Sequence, residues 1–190
     1  GKMLTGTHLL KAVTLLMTSK VIDYLPHYKS GFKAINDTKI IPDSFTEFIC
    51  LSAVTGDIKL IMELPLSKKI KQVVKIVHEL YFADIREFSA YLIFKYGIDV
   101  CLIINKLNIY LRKYPDKQKE ILALYQNLPI YNMKDLKVNG KDLTELFSRK
   151  PGIWVRKVLD EICLRVLEGT VKNEYREIRD YLKKSVDFSS

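Results

Sequence analysis

The sequence predicts an all-α fold, an irregular bundle of short helices. Apolar residues recur at three- and four-residue intervals along most of the 190 residues, which is the spacing that lines up one face of a helix. Glycine, proline and capping residues interrupt these stretches at short intervals. No stretch alternates between apolar and polar residues for long enough to predict a strand. The helices should therefore be short and joined by short loops.

The apolar stripes of the first half end at recognisable helix boundaries. Ser67 follows Pro65 and precedes a stripe that begins at Ile70, so it is a predicted N-cap. Gly97 separates two helices, and residues 98–111 are apolar on nearly every side, which predicts a central buried helix. The stripes are Leu9, Leu10, Val13, Leu16 and Met17; Ile70, Val73, Val74, Val77, Leu80 and Tyr81; and Ile85, Phe88, Tyr91 and Leu92.

Three further stripes follow a break at Tyr114–Asp116, where a proline suits the first turn of a helix. A Pro-Gly pair at 151–152 opens the helix that contains Trp154, and Asn173 is a predicted cap for the last helix. The break at Tyr114–Asp116 also predicts a domain boundary. The stripes are Ile121, Leu124, Tyr125 and Leu128; Val155, Val158, Leu159, Ile162 and Val166; and Tyr175, Ile178 and Leu182.

The charge balance favours an anionic partner. The chain carries 31 Lys and Arg against 22 Asp and Glu, a formal net charge of +9, and cationic surfaces bind nucleic acids by releasing counterions from phosphates. Two helix faces opposite apolar stripes concentrate the positive charge. An ordinary solvated surface is the alternative, because acidic residues are mixed with the basic ones. The basic faces consist of Lys68, Lys71 and Lys75, and of Arg176, Arg179 and Lys183.

A third candidate surface is the corner before the Trp154 helix. Arg149 and Lys150 precede the Pro-Gly turn that ends at Gly152. Basic side chains there meet the unbonded N–H groups and the positive dipole end of a helix, a combination that binds anions. Asn139-Gly140 forms a tight turn into the preceding helix. The alternative is a purely structural corner with Trp154 packed inside.

Several classes of site lack their sequence patterns. There is no Gly-rich phosphate loop, no G-x-S-x-G, no pair of histidines at helical spacing and no Asp-x-Asp pair that could hold magnesium. Cys50, Cys101 and Cys163 lie far apart among apolar residues, which predicts buried free thiols in a reducing compartment. No apolar stretch is long enough to span a bilayer and no signal-peptide pattern is present, so a cytoplasmic location is expected.

The last third of the chain resembles a known family. The order and spacing of Leu128–Ile130, Leu136–Leu143, Lys150–Val155 and Val166–Glu174 are similar to the C-terminal region of CCA-adding enzymes of the Bacillus and Staphylococcus type. A weaker similarity at Leu4–Val13 matches the end of that family's neck. If both hold, the resemblance covers most of the chain.

The resemblance implies a tRNA-binding fragment of a nucleotidyltransferase. Such enzymes add C, C and A to the 3′ end of tRNA, using a catalytic head with Mg²⁺, CTP and ATP, a neck, and a helical body and tail that grip the acceptor stem and the T arm. By this resemblance, residues 1–25 are the end of the neck, 26–114 the body and 115–190 the tail. The catalytic head is then missing, and the fragment is expected to have no catalytic residue, metal or cofactor and to be inactive alone.

The same resemblance assigns RNA contacts to residues of the tail. It also leaves open a homodimer of the parent enzyme. Asp84-Ile85-Arg86 does not match the neck's nucleotide-selecting motif, so no nucleotide site is assigned to it. Together with the basic helix faces, the candidate RNA-binding residues are Lys68, Lys71, Lys75, Asn139, Gly140, Arg149, Lys150, Gly152, Trp154, Arg176 and Arg179.

Three other functions stay open at this point. Bacterial poly(A) polymerases are related and also have helical C-terminal regions. A helical protein-interaction module would leave the basic faces as solvated surface. A small helix–turn–helix DNA binder would need a recognition helix that presents base-reading side chains, whereas the Trp154 helix shows a mixed-charge face.

Overall fold

The computed structural model describes residues 8–185, and over these residues the fold is all-α, as predicted. Eleven α-helices and three short helical turns account for its regular structure, and no strand occurs within this range. Residues 4–7 of the weaker similarity lie outside the described residues. The helices are α1 Leu9–Thr18, α2 Pro26–Thr38, α3 Phe45–Thr55, α4 Ile58–Glu63, α5 Lys68–Phe82, α6 Ala90–Tyr96, α7 Ile98–Leu107, α8 Gln118–Gln126, α9 Gly140–Leu146, α10 Ile153–Leu167 and α11 Tyr175–Ser185.

The described chain divides into two compact units. The first unit contains residues 8–88 and 98–119, and the second contains residues 89–97 and 120–185. Helix α6 therefore belongs with the C-terminal helices, although α7 follows it in the sequence. The division into neck, body and tail stays a prediction.

Helix α3 is the centre of the first unit. It packs against α2 and α5, and α5 packs in turn against α7. Gly31 of α2 faces Ser52 of α3 so closely that a Cβ at residue 31 would clash with the Ser52 hydroxyl. The two helices can approach to this distance because glycine has no side chain. Fully buried side chains of this unit are Ile35, Ile40, Phe48, Ile49, Leu51, Ile61, Ile104 and Leu107.

Two predicted helix boundaries are confirmed by the hydrogen bonds and dihedral angles. The Ser67 hydroxyl accepts a bond of 3.3 Å from the Ile70 N–H and so caps α5. Gly97 has φ +86° between α6 and α7, a conformation that glycine adopts without steric cost. The boundary at Pro115 differs from the prediction: α8 begins at Gln118, whose N–H donates to Asp116 Oδ1 over 2.8 Å.

The apolar run 98–111 is not one uninterrupted α-helix. Helix α7 ends at Leu107 and continues as a π-helical turn over Asn108–Arg112. Asn105 and Asn108 are buried within this run. Asn105 donates to Asp116 Oδ1 (2.9 Å) and accepts from a backbone N–H of the 114–117 loop, while Asn108 donates to a carbonyl of the 83–88 loop. Polar side chains therefore fix both loops to this helix.

Helix α10 is the centre of the second unit, and both α6 and α9 pack against it. Asn173 was predicted to cap α11, but its side chain makes other bonds: Oδ1 accepts from the Lys137 N–H (3.0 Å) and Nδ2 donates to the Asp135 carbonyl (2.9 Å). Asn173 thus connects the loop before α11 to the loop before α9. Buried side chains of this unit include Ile93, Ile121, Ile130, Leu143, Ile162, Val166, Ile178 and Leu182.

The three cysteines are buried and reduced, as predicted. Burial raises the pKa of the Cys50 thiol to about 12 and that of Cys101 to about 11, because the thiolate loses its hydration in an apolar interior. From residue 8 to residue 185, no helix combines the length and the apolar character needed to cross a bilayer.

Candidate nucleic-acid interface

The basic face of α5 is only partly available to a ligand. Lys68 and Lys75 are exposed, whereas Lys71 is half-buried. The Lys71 ammonium donates to the carbonyl of Met62, in the last turn of α4, over 2.7 Å. Positive charge at a helix C-terminus is favourable, so Lys71 stabilises the end of α4, and Lys68 and Lys75 keep their ammonium groups on the surface.

The basic face of α11 lies opposite Ile178 and Leu182, as predicted, whereas Tyr175, the third residue of the predicted stripe, is exposed. Arg176, Arg179 and Lys183 are exposed, while Ile178 and Leu182 are almost fully buried. A helix with this division turns one side to the core and the other to solvent. The three cations therefore lie on one outward face.

A tyrosine between two helices fixes α11 on α10. The Tyr181 hydroxyl donates to Glu161 Oε1 (2.9 Å) and accepts from Arg165 Nε (3.1 Å). The bond to Tyr181 raises the pKa of the Arg165 guanidinium above its ordinary value. Glu161 and Arg165 of α10 thus both bond Tyr181 of α11, and this linkage holds α11 against α10.

Aromatic and basic side chains meet at the corner that opens α10. The guanidinium carbon of Arg149 lies 5.5 Å from the centre of the Trp154 ring, and the Phe147 ring stands edge-on to that indole at 6.0 Å. Trp154 Nε1 donates to the Lys150 carbonyl over 2.8 Å. Trp154 is half-buried rather than enclosed. The corner therefore presents Arg149 and Lys150 from a backbone that the indole holds in place.

The N-terminus of α10 has no side-chain cap. Gly152 stands at the cap position with extended backbone angles (φ −174°, ψ −169°) and offers no side-chain acceptor. The first N–H groups of a helix carry a partial positive charge and need an external acceptor. This uncapped helix end lies next to Arg149 and Lys150, and anion binding at this point stays a prediction.

Asn139 and Gly140 have structural roles at the start of α9. The Asn139 side chain accepts from the N–H groups of Lys141 (2.8 Å) and Asp142 (3.3 Å), and Asp142 Oδ2 accepts from the Asn139 N–H (2.8 Å). Asn139 itself has an extended backbone, with φ −130°. At Gly140 the reason is space, since a Cβ would lie 3.1 Å from Val155 Cγ1 of α10.

One polar cluster was missed by sequence reasoning. Asp84 accepts from Arg86 Nε (2.8 Å), from Arg112 and from the Tyr114 hydroxyl (3.0 Å). The bond from Arg86, followed by that from Tyr114, lowers the pKa of the Asp84 carboxyl. Arg112 also lies over the Tyr81 ring, 4.0 Å from its centre. The partners are up to 30 residues apart, so no local spacing could have indicated the cluster.

The candidate residues fall into both units. Those of α9, α10, α11 and the corner belong to the second unit, and those of α5 belong to the first. Within residues 8–185, no three His, Cys, Asp or Glu side chains come together in a way that could hold a metal ion.

Comparisons with known proteins relate this chain to tRNA nucleotidyltransferases. The family model for tRNA nucleotidyltransferase domain 2 matches residues 45–182, which is more than half of the chain. A CCA-adding enzyme of Bacillus cereus is 28% identical over 194 residues, and one of Bacillus anthracis is 27% identical over 194 residues. Each alignment covers 96% of this chain and 49% of the relative.

A solved structure has the same fold. The crystal structure of the Bacillus stearothermophilus CCA-adding enzyme in complex with CTP matches with a TM-score of 0.72 and 22% identity. The match covers 94% of this chain and 48% of that chain. The chain spans about half the length of the curated relatives it matches.

Proposed function

Because the chain belongs to the tRNA nucleotidyltransferase domain 2 family, we propose that it holds tRNA through its acceptor stem and T arm. A-form RNA is recognised mainly by shape and by contacts to phosphates and 2′-hydroxyls. Such contacts fix the position and register of the RNA without reading its sequence. In a complete CCA-adding enzyme this grip would hold the 3′ end at the head, where positioning lowers the barrier to nucleotide transfer.

The corner at α10 is the observation that carries this proposal. Arg149 lies over Trp154, whose N–H anchors the backbone at Lys150, and the uncapped helix N-terminus follows directly. A phosphate at this point would meet two cationic side chains and the backbone N–H groups of α10. Asn139 and Gly140 would support the corner, and Gly152 would let the RNA backbone approach.

The basic helix faces are further proposed RNA contacts, each within its own unit. Lys68 and Lys75 on α5, and Arg176 and Arg179 on α11, carry exposed charges that suit phosphate contacts. Lys71 would contribute less, since its ammonium is bonded to Met62. The net charge of +9 adds long-range attraction for RNA.

The remaining features of the proposal concern the parent enzyme. We propose that it uses Mg²⁺ with CTP and ATP through a separate catalytic head, that it acts in the cytoplasm, and that these residues alone do not transfer nucleotides. A homodimer of the parent belongs to the same proposal. The domain assignment, with the neck ending near residue 25 and the tail beginning near residue 115, goes with it.

A salt titration with two RNAs tests the tRNA grip. The chain is titrated with a minihelix of acceptor stem and T arm, and separately with an unrelated hairpin of equal length. Arg149→Glu combined with Lys150→Glu should weaken minihelix binding and reduce the salt slope by about 2, because each lost phosphate contact removes about one unit of slope. Lys33→Glu with Lys59→Glu is the control, since both lysines are exposed in the first unit, outside the proposed surfaces.

The outcomes separate the candidate functions. Tighter binding to the minihelix at every salt concentration, lost in the corner variant and retained in the control, supports tRNA docking. Equal weak binding to both RNAs would overturn the proposal and favour a protein-interaction module. Equal loss in both variants would mean that only the net charge matters.

A further inference from the structure

An exposed aromatic side chain stands at the C-terminal end of α5. Phe82 keeps 59% of its surface accessible, and no other large apolar side chain of α5 is exposed. Protein-binding surfaces are marked by contiguous apolar patches, and a single ring does not form one. A lone exposed ring is instead a surface on which one flat ligand can stack.

Two neighbouring rings hold the ring of Phe82 in place. The His78 ring lies 4.6 Å from it, centre to centre, at an interplanar angle of 52°, and the Tyr81 ring stands edge-on to it at 5.4 Å. Tyr81 is itself buried, and the guanidinium carbon of Arg112 lies 4.0 Å from its ring centre. These contacts orient the Phe82 ring while more than half of its surface stays accessible, which lowers the cost of ordering it around a ligand.

Positive charge leads up to this ring along the exposed face of α5. Lys68, Lys75 and Phe82 follow one another at seven-residue intervals, which is close to two helical turns, so the three side chains lie near one line. Residues 64–78 contain four lysines and no acidic residue, and Glu79 is the first carboxylate that follows them. Phosphates are therefore favoured beside the two exposed lysines, and an uncharged group is favoured at the ring.

We propose that Phe82 stacks one unpaired base of a single-stranded RNA segment whose phosphates lie along Lys68 and Lys75. The proposal rests on the RNA-binding role proposed above for these lysines, and it adds the kind of RNA that α5 takes. Cations beside an exposed aromatic ring are the combination that binds single strands, because every base has a π-face that can stack. In a paired stem the bases are stacked on one another, so a stem would meet the lysines without covering the ring.

Binding of a short oligouridine to the 190-residue chain tests this proposal by fluorescence anisotropy. The comparison strand has the same number of ribose phosphates and no bases. Both strands should show the same salt slope, because they carry the same number of phosphates. Oligouridine should bind at least about five-fold more tightly at every salt concentration, since only its bases can stack on Phe82.

Matched aromatic variants locate the stack. Phe82→Leu should weaken oligouridine binding at least about five-fold, since it keeps the apolar character and removes the flat ring, whereas Phe82→Trp should keep the affinity. Tyr24→Leu is the control, because Tyr24 is 86% exposed in the same unit and lies outside α5, and this variant should bind like the unaltered chain. The urea midpoint of Phe82→Leu should stay nearly unchanged, because the ring is largely exposed, so its loss of affinity would not reflect unfolding.

Spectra of ring-labelled phenylalanine give a readout that needs no variant. The ring signals of Phe82 should shift with oligouridine and much less with the strand that has no bases. They should shift in the same way in the corner variant, Arg149→Glu with Lys150→Glu, which leaves α5 unaltered. The tRNA grip can therefore fail while this site is occupied, and the reverse also holds.

Several outcomes would overturn the stacking of a base on Phe82. Equal affinity for the two strands, or equal shifts of the Phe82 signals with both, would mean that only the phosphates are bound. Unchanged affinity in Phe82→Leu, or an equal loss in Tyr24→Leu, would remove Phe82 from the site. Absence of oligouridine binding up to about 1 mM would also overturn the proposal and favour a protein partner for the ring.

Discussion

At the scale of the residue, Asp84 shows how one carboxylate can hold several segments. It has φ +55°, a left-handed conformation that aspartate and asparagine tolerate better than most residues. From this position it accepts bonds from Arg86, Arg112 and Tyr114. One charge therefore links the end of α5 to the π-helical turn and to the loop after it.

The charge of Asp84 predicts a pH-dependent stability. Its partners lower the pKa of the carboxyl below its usual value near 3.8, so its stabilising contribution is present above about pH 4 and is lost as pH falls through the lowered value. Asp84→Asn, which tolerates the same φ, should reduce the urea midpoint at neutral pH. The difference from the unaltered chain should shrink below about pH 4.

A surface aspartate provides the comparison for this measurement. Asp180 of α11 is exposed, so Asp180→Asn should leave the urea midpoint nearly unchanged at either pH. If the difference in urea midpoint between Asp84→Asn and the unaltered chain stayed constant from neutral to acid pH, the charge of Asp84 would not be what stabilises the unit. Its hydrogen bonds alone would then be responsible.

At the scale of the element, two substitutions at the start of α9 test whether Asn139 only caps the helix or also affects RNA binding. Asn139→Ala should lower the free energy of unfolding by about 1 kcal/mol, because two N–H groups lose their acceptor. Asn139→Asp should keep the cap and most of the stability, and a new negative charge near the corner should weaken minihelix binding. Urea unfolding and the RNA titration together measure both effects. Unchanged RNA binding in Asn139→Asp would leave Asn139 as a cap alone.

Helix existence and the orientation of helix faces were predictable from local patterns. Ile178 and Leu182 are buried and the cations Arg176, Arg179 and Lys183 on the same helix are exposed, because three- and four-residue spacing fixes which side chains share a face. Ser67 caps α5 as predicted because capping depends on neighbours within three residues. The RNA contacts of these faces stay predictions.

The features that sequence missed all depend on distant segments. The bond from Lys71 to Met62 requires the last turn of α4 to lie beside α5. The run 98–111 predicted one apolar helix, yet Asn105 and Asn108 bond loops more than ten residues away, and α7 changes to a π-helical turn at that point. Such bonds have no sequence period, so no local pattern predicts them.

At the scale of the whole molecule, the family resemblance seen at the end of the chain is confirmed. It was carried by residues 128–182, and the family model matches residues 45–182. The similarity to CCA-adding enzymes of Bacillus extends over 96% of the chain. The middle of the chain carries no motif of the resemblance, because its packing residues are apolar side chains that can replace one another.

The two compact units predict unfolding that is not a single transition. Trp154 is the only tryptophan and belongs to the second unit, whereas far-UV circular dichroism reports helices of both units. Urea transitions followed by the two signals should therefore not coincide. Leu143→Ala, in the core of the second unit, should shift the fluorescence midpoint, and Leu51→Ala, in the core of the first, should shift mainly the dichroism. If the two signals gave coincident transitions in the unaltered protein and in both variants, the protein would unfold as one cooperative unit.

The three buried thiols can report how often each unit opens locally. Cys50 and Cys101 belong to the first unit and Cys163 to the second. An alkylating reagent needs an accessible thiolate, and burial raises the pKa of all three thiols. Each sulfur can therefore react only when its surroundings open, so the labelling rate of each cysteine under native conditions records how often that part of the molecule opens.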